Sequence, residues 1–107
     1  MDELNIELLQ KLCIENRIVW STHALERIQE RNIAKSDIIT VIKNGRIIEN
    51  YPDAFPYPAC LVLGISSGNE KLHVVCGCNG EFIKIITAYF PDKEKFSLSG
   101  EKRKEKN

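Results

Sequence analysis

The sequence has no net charge to spare: 15 lysines and arginines face 15 aspartates and glutamates over 107 residues. No general field therefore draws the chain to nucleic acid or to a membrane surface, and any anion site must be local. There is also no run of 18 apolar residues, and no positively charged start leading into an apolar stretch. Those absences argue against a membrane span and a secretory signal. A glycine-rich phosphate loop, a nucleophile elbow and a paired-carboxylate signature are all missing. The four cysteines (Cys13, Cys60, Cys76, Cys78) do not form a loop-rich framework but sit inside apolar segments, which suits buried thiols in a reducing cytoplasm.

What remains, 43% hydrophobic and 28% charged residues, is the composition of one globular domain with a modest core. Residues 2–16 start with Asp2 and Glu3 and then space Leu4, Leu8, Leu9, Leu12 and Cys13 as a helix, with Asn16 as its stop. Ile18-Val19-Trp20 is a short apolar link that a strand would also explain. Ser21 or Thr22 can cap a second helix running to about Arg31. Ser36 or Asp37 can open a third, with Ile38, Val41 and Ile42 inward and Gly45 just past its end.

After Gly45 the pattern turns to strands. Arg46–Tyr51 reads as one, and Pro52, Pro56 and Pro58 make residues 52–58 a loop. Residues 60–65 form an apolar run of strand length, followed by a turn at 66–69. Lys71–Cys78 and Glu81–Phe90 flank Asn79-Gly80, a strong hairpin signal. The expected fold is α+β, with N-terminal helices packed on a four-stranded, mainly antiparallel sheet. Residues 1–92 form the expected single domain, and 93–107 a charged, flexible C-terminal tail.

Projection of "WSTHALERIQER" at about 100° per residue puts His23, Arg27 and Arg31 on one stripe bordering the apolar side of Ala24, Leu25 and Ile28. Two arginines at i and i+4 repel by roughly 0.2–0.5 kcal/mol unless a carboxylate or an external anion relieves them. The relief can be internal, with Arg27 on Glu30 and Arg31 on Asp37, or it can be a bound phosphate. The helix pattern leaves both open.

His73 lies in a strand where Leu72, Val74, Cys76 and Cys78 share one face and His73, Val75 and Gly77 the other. The first face reads as core. Which residues of the following strand join His73 depends on register. Either Ile83, Ile85, Thr87 and Tyr89 or Phe82, Lys84, Ile86 and Ala88 would do. Cys76 and Cys78 with His73 invite a metal or small-molecule sensor, but zinc sites favour Cys-x2-4-Cys at a turn, and His73 points away. No metal and no cofactor is expected.

The order of "WSTHALERIQERNI", "SDIITVIKNGRIIENYP", "PYPACLVLG", "KLHVV" and "IITAYFPD" resembles a family of small uncharacterised bacterial domains grouped with the BrnT and RelE toxins. It covers roughly residues 18–92. The resemblance implies a RelE/BrnT-like α+β fold and a metal-independent endoribonuclease toxin that cleaves mRNA in the cytoplasm. A cognate antitoxin with a zinc-finger or helix-turn-helix region would neutralise it.

By the same resemblance His23, His73 and Tyr89 are the catalytic candidates, and Arg27, Arg31 and Lys84 the phosphate- and RNA-binding ones. Such chemistry needs a base for the ribose 2′-hydroxyl, cations for the phosphorane and an acid for the leaving oxygen. The chain departs from RelE-type toxins in being neutral rather than basic, and Lys84 is its only central cationic strand residue. The competing expectation is a non-catalytic interaction module that docks a partner through the 21–31 helix.

Overall fold

The first two helices of this chain are each opened by a short polar side chain. The computed structural model describes residues 4–91, in the order α1 (Ile6–Ile14), β1 (Ile18–Trp20), α2 (Thr22–Glu30), α3 (Lys35–Asn44), β2 (Arg46–Tyr51), β3 (Ala59–Ile65), β4 (Lys71–Cys78) and β5 (Ile83–Tyr89). Asn5 caps α1 by accepting the Leu8 N–H at 2.9 Å, and Ser21 caps α2 by accepting the Ala24 N–H at 3.0 Å. The acidic start expected at Asp2 and Glu3 and the tail expected at 93–107 lie outside the described residues. Asn16 (φ 61°) and Asn32 (φ 58°) take the left-handed conformation just past α1 and α2, which lets Arg17 and Ile33 donate back to Leu12 and Ile28 at 2.9 and 2.8 Å.

The start of α3 corrects the sequence reading. Its cap position is Ala34, which makes no side-chain bond, and neither Ser36 nor Asp37 opens the helix. Asp37 has another use: its carboxylate accepts the Ser67 N–H at 3.0 Å and fastens the first turn of α3 to the β3–β4 turn.

The sheet corrects it too. Five strands, not four, run in the order β1-β5-β4-β3-β2, and β1 is parallel to β5, so the sheet is mixed. The remaining neighbours are antiparallel. A three-residue strand has almost no periodicity of its own. Here it is specified by its distant partner, with Ile18, Val19 and Trp20 opposite Ile83, Lys84 and Ile85.

The hairpin differs as well. The last β4–β5 pair is Cys78 with Ile83, so residues 79–82 form a four-residue loop in place of a two-residue turn. Asn79 Oδ1 accepts the N–H groups of Glu81 and Phe82 at 2.9 and 3.1 Å and holds the longer loop closed.

The helices cover one sheet face, where Leu9, Ile28, Ile38 and Ile42 pack on Val62, Leu72, Val74, Cys76, Ile83 and Ile85. Each such large side chain contributes about 1.5–3 kcal/mol by leaving water. Alternation along β4 holds as read from sequence, with Leu72, Val74, Cys76 and Cys78 on this face. Along β5 neither of the two expected sets survives. A bulge opposite Val75 and Cys76 turns the strand, so Ile83, Ile85 and Ala88 face the core while Lys84 and Tyr89 pair with Gly77 and His73 on the opposite face. Among the described residues no helix is long and apolar enough to cross a membrane.

Candidate functional site

Lys84 stands between Ile83 and Ile85, both fully buried under the helices, so alternation turns it to the far face of the sheet. There it helps line a pocket of about 370 Å³ shared with Ser21, His23, Phe55, Tyr57 and Ile86. Trp20 pairs with Ile85 at the end of β1, and Ser21 then turns the chain into α2. The first helical turn thus delivers His23, which is exposed, to the sheet edge beside Lys84.

The opposite wall is the proline-rich loop. Ala54 N–H donates to the Tyr51 carbonyl at 3.1 Å, and the Phe55–Pro56 bond is cis. Tyr57 packs edge-on against Phe82, with ring centroids 5.8 Å apart and planes at 87°. Gly77 forms the floor. A Cβ there would lie at ordinary contact distance, 3.4 Å, from the Pro58 carbonyl oxygen, so the loop rests directly on β4. The Cys78 N–H fixes that contact by donating to the same carbonyl at 3.0 Å.

The electrostatics of the pocket are one-sided. Among the described residues that line it, Lys84 and His23 can carry positive charge and none is a carboxylate. Arg27, one helical turn beyond His23, reaches Glu30 at 3.1 Å. Their side chains are 38% and 63% exposed, which makes this a weak surface pair of about 0–1 kcal/mol that an incoming phosphate can displace.

Arg31 is used differently. It caps α2 and donates to Thr87 Oγ1 at 3.2 Å and to the Ala88 carbonyl at 3.1 Å. The Arg27–Glu30 pair read from sequence is therefore present. The Arg31–Asp37 pair is replaced by a tie from Arg31 to β5, while Asp37 holds Ser67.

His73 and Tyr89 sit elsewhere on the same sheet face. They are cross-strand partners, both buried, with ring centroids 5.4 Å apart at 65°. Gly77 at the pocket floor is four residue steps along β4 from His73, about 13 Å along the strand. The fold brings His23 and Lys84 together, with Arg27 one helical turn beyond His23 on α2. It does not bring His73, Tyr89 or Arg31 into that pocket.

The cysteines belong to the interior. Cys60 and Cys76 are cross-strand partners on the helix-covered face with their sulfurs 4.0 Å apart, whereas His73 lies on the other face. The bond to the Cys60 thiol and complete burial push the Cys76 thiol well up. Burial also raises Cys13 and Cys78. Among the described residues no three His, Cys, Asp or Glu side chains gather as a metal site would require. A second hollow, about 340 Å³ and lined in part by Arg46, Leu63, Ile65 and Lys71, opens at the far end of β3.

Sequence reasoning missed Phe55, Tyr57 and Ile86 as pocket residues. Their signal was present in "DAFPYP", where aromatics stand between prolines in a loop, and loops carry function disproportionately. Ile86 shares the alternating set of Lys84 and follows it into the pocket.

A family model described as a domain of unknown function (DUF4258) matches residues 20–90, a span that starts at Trp20 and includes every pocket residue. No curated protein matches the chain, and no solved structure does.

Proposed function

The chain belongs to the DUF4258 family, and from that premise we propose that it is a RelE/BrnT-like endoribonuclease, the toxin of a toxin–antitoxin pair, cutting mRNA without a metal. The observation that carries this reading is the shared pocket: a histidine and a lysine from distant parts of the sequence, with no carboxylate among its described lining residues. An RNA phosphodiester supplies its own nucleophile, so the protein needs only proton transfer and charge stabilisation.

In this scheme His23 takes the proton from a ribose 2′-hydroxyl. The 2′-oxygen bonds to phosphorus and the bond from phosphorus to the 5′-oxygen breaks. Lys84 holds the non-bridging oxygens and gives a proton to the departing 5′-oxygen. The products are a 2′,3′-cyclic phosphate and a free 5′-hydroxyl, and solvent restores the protons. Arg27 exchanges Glu30 for a backbone phosphate beside the scissile one. His73 and Tyr89, buried as a stacked pair, and Arg31, tied to β5, support the scaffold in this scheme. A cognate antitoxin with a zinc-finger or helix-turn-helix region would act by covering the pocket mouth.

Expression in a bacterium without the antitoxin tests the reading. Growth arrest with transcript loss is expected, and His23→Ala and Lys84→Ala should each relieve it while remaining folded. Normal growth with abundant folded protein would sink it. One observation favours a second reading, a docking module acting through α2: Arg27 and Arg31 already have internal partners. A partner bound by the 21–31 helix, with no RNA cut, would establish that alternative.

A further inference from the structure

Phe55 is 94% exposed, by far the most exposed large apolar residue described, and it stands at the wall of the pocket that holds His23 and Lys84. An exposed phenyl ring forgoes the stabilisation that burial would bring, so the core gains nothing from it. Its position is nevertheless fixed at both ends. The Tyr51–Ala54 turn precedes it, and the Pro58 carbonyl that follows is bonded to Cys78. Beside it the Tyr57 ring is braced edge-on by Phe82, and Ile86, 40% exposed, adds apolar surface across the floor.

The wall is thus aromatic and apolar, and the opposite side is cationic. That division matches one unpaired nucleotide, whose base is a flat apolar face and whose phosphate is an anion. A base within a duplex offers no such face, because its neighbours already cover it.

We infer that the 54–57 loop is a base-stacking subsite, in which Phe55 receives the base of an unpaired ribonucleotide while His23 and Lys84 receive its phosphate. It rests on the RNA-cleavage reading of the same pocket but concerns binding alone. Phe55 is a positioning residue there, taking no part in proton transfer. Because the ring is exposed, its removal leaves the fold intact.

Fluorescence anisotropy with an end-labelled single-stranded oligoribonucleotide tests this, run beside the same sequence as a duplex. A probe methylated at every 2′-oxygen lacks the attacking hydroxyl and stays uncut by the otherwise wild-type chain. With it, Phe55→Ala should weaken single-strand binding by about 5- to 150-fold, the loss of one stacked base, and Phe55→Trp should restore it. Duplex binding should be weaker than single-strand binding and indifferent to Phe55. Equal single-strand affinity for the Phe55→Ala and parent chains would overturn the subsite while leaving the cleavage reading standing. Stacking without cleavage by the wild type would do the reverse. No binding of single-stranded RNA at low salt would overturn both.

Discussion

Arg31 donates to the carbonyl of Ala88 at 3.1 Å, across an edge of β5 that the three-residue β1 leaves uncovered. With its second bond to Thr87 Oγ1 it locks the end of α2 to the last strand. Hydrogen bonds from a charged donor contribute about 1.5–3 kcal/mol. Arg31→Ala should therefore lower stability by about 1–3 kcal/mol, seen as a Tm several degrees lower. Arg27→Ala, which removes only a surface pair with Glu30, should change it by less than about 1 kcal/mol. Equal thermal shifts for the two variants would refute this division of roles.

The two histidines should also separate by assay. His73 is fully buried against Tyr89, so His73→Ala leaves a cavity and should cost about 2–4 kcal/mol. His23 is exposed, and His23→Ala should leave the unfolding midpoint unchanged while removing activity. Denaturant unfolding of both variants makes the comparison.

Gly45 is held by close approach rather than by a left-handed backbone. A Cβ there would lie 2.5 Å from the Val41 carbonyl oxygen, and closer still to that of Leu63. Both are backbone atoms at the α3–β2 junction, so Gly45→Ala must shift the chain and should cost about 1–3 kcal/mol. A Gly45→Ala protein as stable as wild type would show that the junction is looser than described.

The buried thiols set an alkaline limit. Cys13, Cys76 and Cys78 hold their protons more tightly folded than unfolded, Cys76 through its bond to Cys60 and burial, the others through burial. Above the ordinary thiol range, about 8.5, the unfolded chain loses protons that the folded chain keeps. Stability is thus intact below that range and falls as pH rises through it, by up to about 1.4 kcal/mol per pH unit for each thiol. Denaturant midpoints at pH 7.5 and 10 should differ in that direction, and Cys76→Ala should flatten the difference.

Much of this was readable from periodicity. The core face of β4, the helix cap at Ser21 and the shared edge of His23 and Arg27 all follow from local spacing. What escaped depended on distant partners or on departures from regularity. β1 is defined by β5, and the bulge in β5 splits both alternating sets so that Tyr89 joins His73. The stripe of His23, Arg27 and Arg31 is real as a projection, yet its members differ in use. His23 lines a pocket, Arg27 sits on Glu30, and Arg31 reaches β5. Periodicity shows which residues share an edge, but what that edge faces is decided by the sheet.

The most direct measurement incubates purified wild-type, His23→Ala and Lys84→Ala proteins with a single-stranded RNA in the presence of a chelator, and identifies the ends produced. Fragments bearing 2′,3′-cyclic phosphate and 5′-hydroxyl ends from the wild type alone, with both variants folded, are the expected result. Undiminished cleavage by His23→Ala, or none by the wild type, would contradict the pocket as the site of RNA cleavage.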